Sequence, residues 1–176
     1  GHAHLTAAEA FGGDLHCGDA FAPGGPAVAL KGCASHATLG IGALLEAIIA
    51  GTDPIDSRED GWPTFGDWPQ HDSLLHEQSY FRGIERSWRA GQRVLNTLLV
   101  ANRVICGLYP TRDTSCDEME QIRAQAAYLR SMQDYVDAQS GGPGRGWFRI
   151  ATTPEQVRAI AAEGKLAVTV GVESSE

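Results

Sequence analysis

Apolar positions recur every three or four residues through Met119, Ile122, Ala126, Leu129, Met132 and Val136, the clearest helical stripe in the chain. Thr114 or Ser115 is placed to cap that helix. A second stripe through Leu74, Phe81, Ile84 and Trp88 predicts a helix running from a cap at Asp72 or Ser73 to about Arg89, with Gly91 placed to end it. Between the two stripes the period changes. Val94–Ala101 is an apolar run of strand length, which predicts a strand buried on both faces. A last block reads as strand, helix, strand. Trp147–Ile150 suits a short strand, and Thr153-Pro154-Glu155-Gln156 joins a capping box to proline at the first helical position. Val157, Ile160 and Ala161 then point inward, Gly164 ends the helix, and Leu166–Glu173 forms the final strand. So short a βαβ unit predicts a parallel sheet.

The remaining chain is less regular. Residues 1–5 suit a short first strand, and residues 6–72 form a loop-rich insertion, heavy in Gly and Pro, with a helical turn or two at Ile41–Ala50. A connection of that length inside a compact domain points to a lid or a binding surface. Ser140–Gly146 breaks the long helix; it lacks the Lys-Ser/Thr end of a phosphate-binding loop and reads as a flexible turn.

Composition narrows the partners. The chain of 176 residues is long enough for one domain with a real core. Its 14 Lys and Arg against 22 Asp and Glu give a net charge of −8, with nothing basic clustered, which argues against nucleic acid or an anionic membrane surface. No apolar stretch approaches the roughly 20 residues of a membrane span, and no signal-peptide pattern is visible. The four cysteines show no CxxC spacing, so a zinc ribbon is not expected. Cys17 with Cys33 and Cys106 with Cys116 are the nearest-neighbour pairings among three connectivities; four reduced, buried thiols are the alternative. Oxidised cysteines place the protein in an extracellular or periplasmic compartment.

Candidate chemistry gathers at the two ends of the chain. On an extended strand, residues two apart point the same way, so His2 and His4 can offer both imidazoles to one ion. The run ending in Glu173 delivers a carboxylate to the C-terminal end of its strand, where parallel barrels keep their chemistry. Against this, Gly1-His2 is also what a cleaved affinity tag leaves, and Glu173 can be a solvated strand end. Trp62 and Trp68, each before a proline, can line a substrate pocket or anchor loop packing. His76 can face the site; otherwise it and His71 serve as capping or surface residues beside a helix start. His16, Cys17 and Asp19 form a loop cluster with some metal-binding character. Asp117, Glu118 and Glu120 lie in a first helical turn, where acids complement the helix dipole.

The run TPEQVRAIAAEGKLAVTVGVES resembles the segment entering the third barrel strand of membrane-dipeptidase-type metal-dependent amidohydrolases, and GHAHL resembles the first-strand motif of that barrel. The stretches GWPTFGDWPQHDSLLHEQ, SCDEMEQIRAQ and DAQSGGPGRGWFRI resemble a largely uncharacterised bacterial branch of the same family. The resemblance is sharpest over residues 146–173. It implies an α/β fold in which residues 1–176 form an incomplete (β/α)8 barrel: the first three parallel strands, the insertion over 6–72, and a βαβ end over 146–176. It also implies a binuclear zinc centre in the complete protein, with His2 and His4 on one ion and Glu173 as bridge. The expected reaction is hydrolysis of a dipeptide or other small amide by a metal-activated hydroxide. His4 stands where typical membrane dipeptidases have Asp, and GVESS where they have GVEGG; later-strand histidines of the family have no counterpart here. The expectation is therefore a chain inactive by itself, completed by further barrel strands or a second chain. The alternative is a non-catalytic, disulfide-stapled secreted binding module.

Overall fold

The computed structural model describes residues 2–11, 19, 21–29, 80–108 and 114–174. Among them, strands β1 (His2–Ala3), β2 (Val94–Ala101), β3 (Phe148–Ile150) and β4 (Leu166–Ser174) make one sheet in the order β1-β2-β4-β3, parallel at every pairing. Helices are α1 (Pro26–Ala29), α2 (Phe81–Arg89), α3 (Arg103–Leu108), α4 (Glu118–Gln139) and α5 (Pro154–Ala162), with a 3-10 turn at Ala7–Glu9. This is a mixed α/β chain with a parallel sheet, as expected. The sheet has four strands where the resemblance implied three; the extra one is the short strand expected at Trp147–Ile150, which forms over Phe148–Ile150 and seats outside β4. The short β3–α5–β4 crossover returns the chain to pair directly beside β3, and β4 then fills the place next to β2.

Register fixes the two faces of the sheet. Leu95 pairs with Val168, Thr97 with Val170 and Leu99 with Val172, while Asn96 pairs with Thr169, Leu98 with Gly171 and Val100 with Glu173. Paired residues in a parallel ladder share a face, so the odd positions of β2 and the even positions of β4 point together. Leu95, Leu166 and Val168 pack there with Leu129, Met132 and Val136 of α4 and with Phe81 and Ile84 of α2. Burying these side chains contributes roughly 1.5–3 kcal/mol each. Burial along β2 alternates rather than covering both faces, because α2 and α4 pack on the face that carries Leu95, Leu99 and Ala101.

Local signals explain the ends. Thr153 Oγ1 accepts from Gln156 N at 3.3 Å, with Pro154 opening α5. Val157, Ile160 and Ala161 are its half-buried positions. The cap of α4 is Asp117, accepting from Glu120 N at 2.9 Å, rather than Thr114 or Ser115. Met119 is 54% exposed and lies off the buried stripe, whose first turns instead bury Glu118, Gln121 and Gln125. The turn over 140–146 is tied rather than flexible. Asp137 accepts from Gly144 N at 2.9 Å, Gly146 N at 2.7 Å and Arg149 at 2.7 Å, and Gly142 adopts φ +125° within it. Burial pushes the Asp137 carboxyl up, but those donors outweigh it and hold its pKa below the ordinary value. Trp88 stacks on Trp147 with centroids 5.2 Å apart and donates to Gly164 O at 2.8 Å, docking α2 onto the β3–α5–β4 unit.

Helix Ile41–Ala50, the start of the helix expected from Ser73, and most of the 6–72 insertion lie outside the described residues. Among the described residues no helix is long and apolar enough to cross a membrane.

Candidate functional site

Parallel strands put their C-terminal ends on one side of the sheet, where β1 leads into His4 and β4 carries Glu173, while His2 lies at the start of β1. His2 pairs with Asn96, so it shares a face with Thr169, whose hydroxyl lies 3.0 Å from Asn96 Oδ1. Glu173 sits on the same face, in register with Val100. Between them, Gly171 keeps the floor low: a Cβ there would meet Leu98 Cδ2 at 2.7 Å.

His4 is oriented by the sheet itself. Its Nδ1 lies 3.2 Å from Leu98 O. A carbonyl oxygen only accepts, so Nδ1 carries the proton and donates, which leaves Nε2 with its lone pair. Nε2 lies 3.8 Å from Glu173 Oε2, with the two side chains 36% and 59% exposed. The His2 and His4 rings stand edge to face, with centroids 5.7 Å apart. Two acceptor atoms facing one another in this way can share a cation between them. A zinc ion bound at about 2.0–2.1 Å from nitrogen and about 2.0–2.2 Å from oxygen fits that gap, since the two bonds together slightly exceed 3.8 Å. Among the described residues, no three His, Cys, Asp or Glu side chains converge on one point as placed; His4 pairs with Glu173 while His2 stands beside His4.

The walls at these strand ends come from the polar start of the α4 stripe. Gln125 Oε1 accepts from Val100 N at 2.9 Å, and its Nε2 donates to Val100 O at 2.8 Å. This amide takes the place of a neighbouring strand where β1 has already ended. Gln121 accepts from Phe11 N at 3.2 Å and donates to Ser115 O at 2.8 Å, and Phe11 packs with Ala10 on Val100. Glu118 accepts from Arg103 N at 2.8 Å and from the Ser174 hydroxyl. It is 4% exposed, so its role exceeds that of a helix-dipole partner. Cys106 and Cys116 form a disulfide across the α3–α4 connection, with Gln121 Nε2 3.4 Å from Cys106 Sγ.

Of the other sequence candidates, Asp19 accepts from the Tyr128 hydroxyl at 3.2 Å, away from the histidines. Trp62, Trp68, His71 and His76, together with His16, Cys17 and Cys33, lie outside the described residues. Sequence reading missed Gln121, Gln125 and Ser174 and took Glu118 for a helix-dipole partner alone. The available signal was polar residues at 118, 121 and 125, spaced to continue the buried stripe of 129, 132 and 136.

No family model, curated protein or solved structure matches the chain.

Proposed function

We propose that the chain carries part of the metal centre of a metal-dependent hydrolase, built on the first strands of a (β/α)8 barrel and acting on a dipeptide or other small amide. The observation that carries this reading is the pairing of His4 Nε2 with Glu173 Oε2 at the strand C-termini, 3.8 Å apart, while Leu98 O occupies the other imidazole nitrogen. On this reading His2 and His4 hold one zinc ion and Glu173 bridges to a second. Zinc in such a centre supplies an acidified water and polarises a carbonyl. The chain's own residues orient and desolvate: Leu98 O fixes the His4 tautomer, Gly171 leaves room above the floor, and Phe11 shields Val100 beside the site. A two-ion centre needs more ligands than these three, and they come from further barrel strands or from another chain.

The test is zinc content of the purified chain by elemental analysis, beside His2→Ala/His4→Ala and Glu173→Ala variants. About one or two ions per chain, lost in both variants, is the expected result. Zinc retained in the variants, or none in the parent, overturns the reading.

The Cys106–Cys116 disulfide favours a second reading, a non-catalytic secreted binding module in an extracellular or periplasmic setting. Absence of zinc together with oxidised thiols on mass analysis would select it.

A further inference from the structure

Glu173 is 59% exposed on its side chain and belongs to the last turn of a strand with no described neighbour on its outer side beyond Val168. Register and hydrogen bonding show why that side is open. Leu166 N bonds Trp147 O and Ala151 N bonds Val168 O, whereas Ala167 N bonds Arg93 O toward β2. Alternate residues of β4 therefore face the two sides, and β3 ends at Ile150, opposite Val168. Among the described residues, the end of β4 that carries Glu173 is thus laddered to β2 alone. A ligand held this loosely loses affinity, because the ion must order it on binding.

One further tie exists. The Glu118 carboxylate, 4% exposed beneath the strand ends, accepts from the Ser174 hydroxyl with one oxygen and from Arg103 N, at 2.8 Å, with the other. Ala101 and Ser174 are paired in register, so a single carboxylate clamps the C-terminal ends of both β2 and β4. It does so from the first turn of α4, whose cap at Asp117 is itself fixed by Glu120 N at 2.9 Å. Ser174 directly follows Glu173, and the two side chains point to opposite faces of the sheet. Pinning Ser174 below the sheet aims Glu173 above it, toward His4.

We propose that Glu118 is a positioning residue for Glu173, acting through the Ser174 hydroxyl; this rests on the metal-site reading given above. Glu118 touches neither the ion nor a substrate. It corresponds to the outer-shell partners that hold metal ligands elsewhere, whose loss typically weakens metal affinity about 10–100-fold.

Cobalt(II) is the probe, titrated into the full chain and followed by its visible absorption, which reports ligand geometry where zinc is silent. The parent is expected to bind with a visible band that Glu173→Ala abolishes. Ser174→Ala leaves the Glu118 bond to Arg103 in place and is expected to weaken cobalt about tenfold, with an altered band and an unchanged thermal midpoint. Ser174→Thr keeps the hydroxyl and restores both affinity and band. Glu118→Gln weakens binding, and combining it with Ser174→Ala adds little, as expected for two members of one chain of contacts. Parental affinity and spectrum in Ser174→Ala overturn the positioning role while the metal-site reading stands. So do additive effects in the double variant, a loss that Ser174→Thr fails to restore, or a loss matched by a lowered thermal midpoint. No cobalt band in the parent removes the metal-site reading itself, and the proposal with it.

Discussion

The two ends of α4 use the same device for different ends. At its C-terminal end Asp137, at its N-terminal end Glu118: each is a nearly buried carboxylate that accepts from backbone N–H and a side chain of distant segments. Asp137 sits where β3 begins, closes the 140–146 turn, and has Arg149 at 2.7 Å to balance its charge. Glu118 sits where β2 and β4 end and bonds Ser174, the residue after Glu173. Parallel barrels keep their chemistry at the strand C-termini, and on the proposed reading the two acids divide along that line. Burial and bonding are alike at the two acids; what differs is the end of the sheet that each one holds.

The largest expected effect lies at the structural end. Asp137→Ala leaves the N–H groups of Gly144 and Gly146 without their acceptor and Arg149 without its partner, and is expected to cost about 3 kcal/mol in denaturant unfolding. Metal binding by folded protein should be unchanged; a parallel loss of metal would erase the contrast between the ends. The same residue sets a pH dependence. Its folded pKa lies below the ordinary 3.8, so its stabilisation is complete above that value and is lost as pH falls through the folded pKa. The parent should therefore weaken more steeply than Asp137→Ala below about pH 4, as thermal melts across that range would reveal.

Next in size is the disulfide at the other end. Cys106 and Cys116 are separated by 10 residues, and replacing both by Ser is expected to cost about 2–3 kcal/mol by freeing that loop in the unfolded chain. Because Gln121 contacts Cys106 Sγ and also holds Phe11, hydrogen exchange at Phe11 N should rise as well. The smallest effect lies midway. Thr97 is fully buried, and its hydroxyl has no hydrogen-bond partner among the described residues, so Thr97→Val should gain about 1 kcal/mol with neither acid's role disturbed.

The division between these ends was only half legible in the sequence. The βαβ block at 147–173 could be read because cap, proline, apolar face, stop glycine and strand follow one another within it, each agreeing with the next. Strand parity and the tendency of parallel strands to gather their C-termini suggested His2, His4 and Glu173 as a group; the structure sets His4 beside Glu173 and His2 beside His4. Strand order did not follow: nothing local in Phe148–Ile150 says that it seats outside β4. Alternating burial in β2 was hidden too, since an apolar run reads the same whether one face or both are covered. Glu118 was misread because a glutamate in a first helical turn satisfies the dipole argument wherever it points. Its burial depends on Arg103 and Ser174, brought to it from 15 and 56 residues away.

The stacked pair of Trp88 and Trp147 gives the molecule an optical signature of its own assembly. Two indoles held 5.2 Å apart and within 13° of parallel couple their transitions, so their circular dichroism depends on both being in place. They belong to segments far apart in the chain, one on the helix before β2 and the other at the threshold of β3. Light absorbed there reports whether the βαβ unit has closed against the rest of the sheet, separately from how much helix or strand has formed.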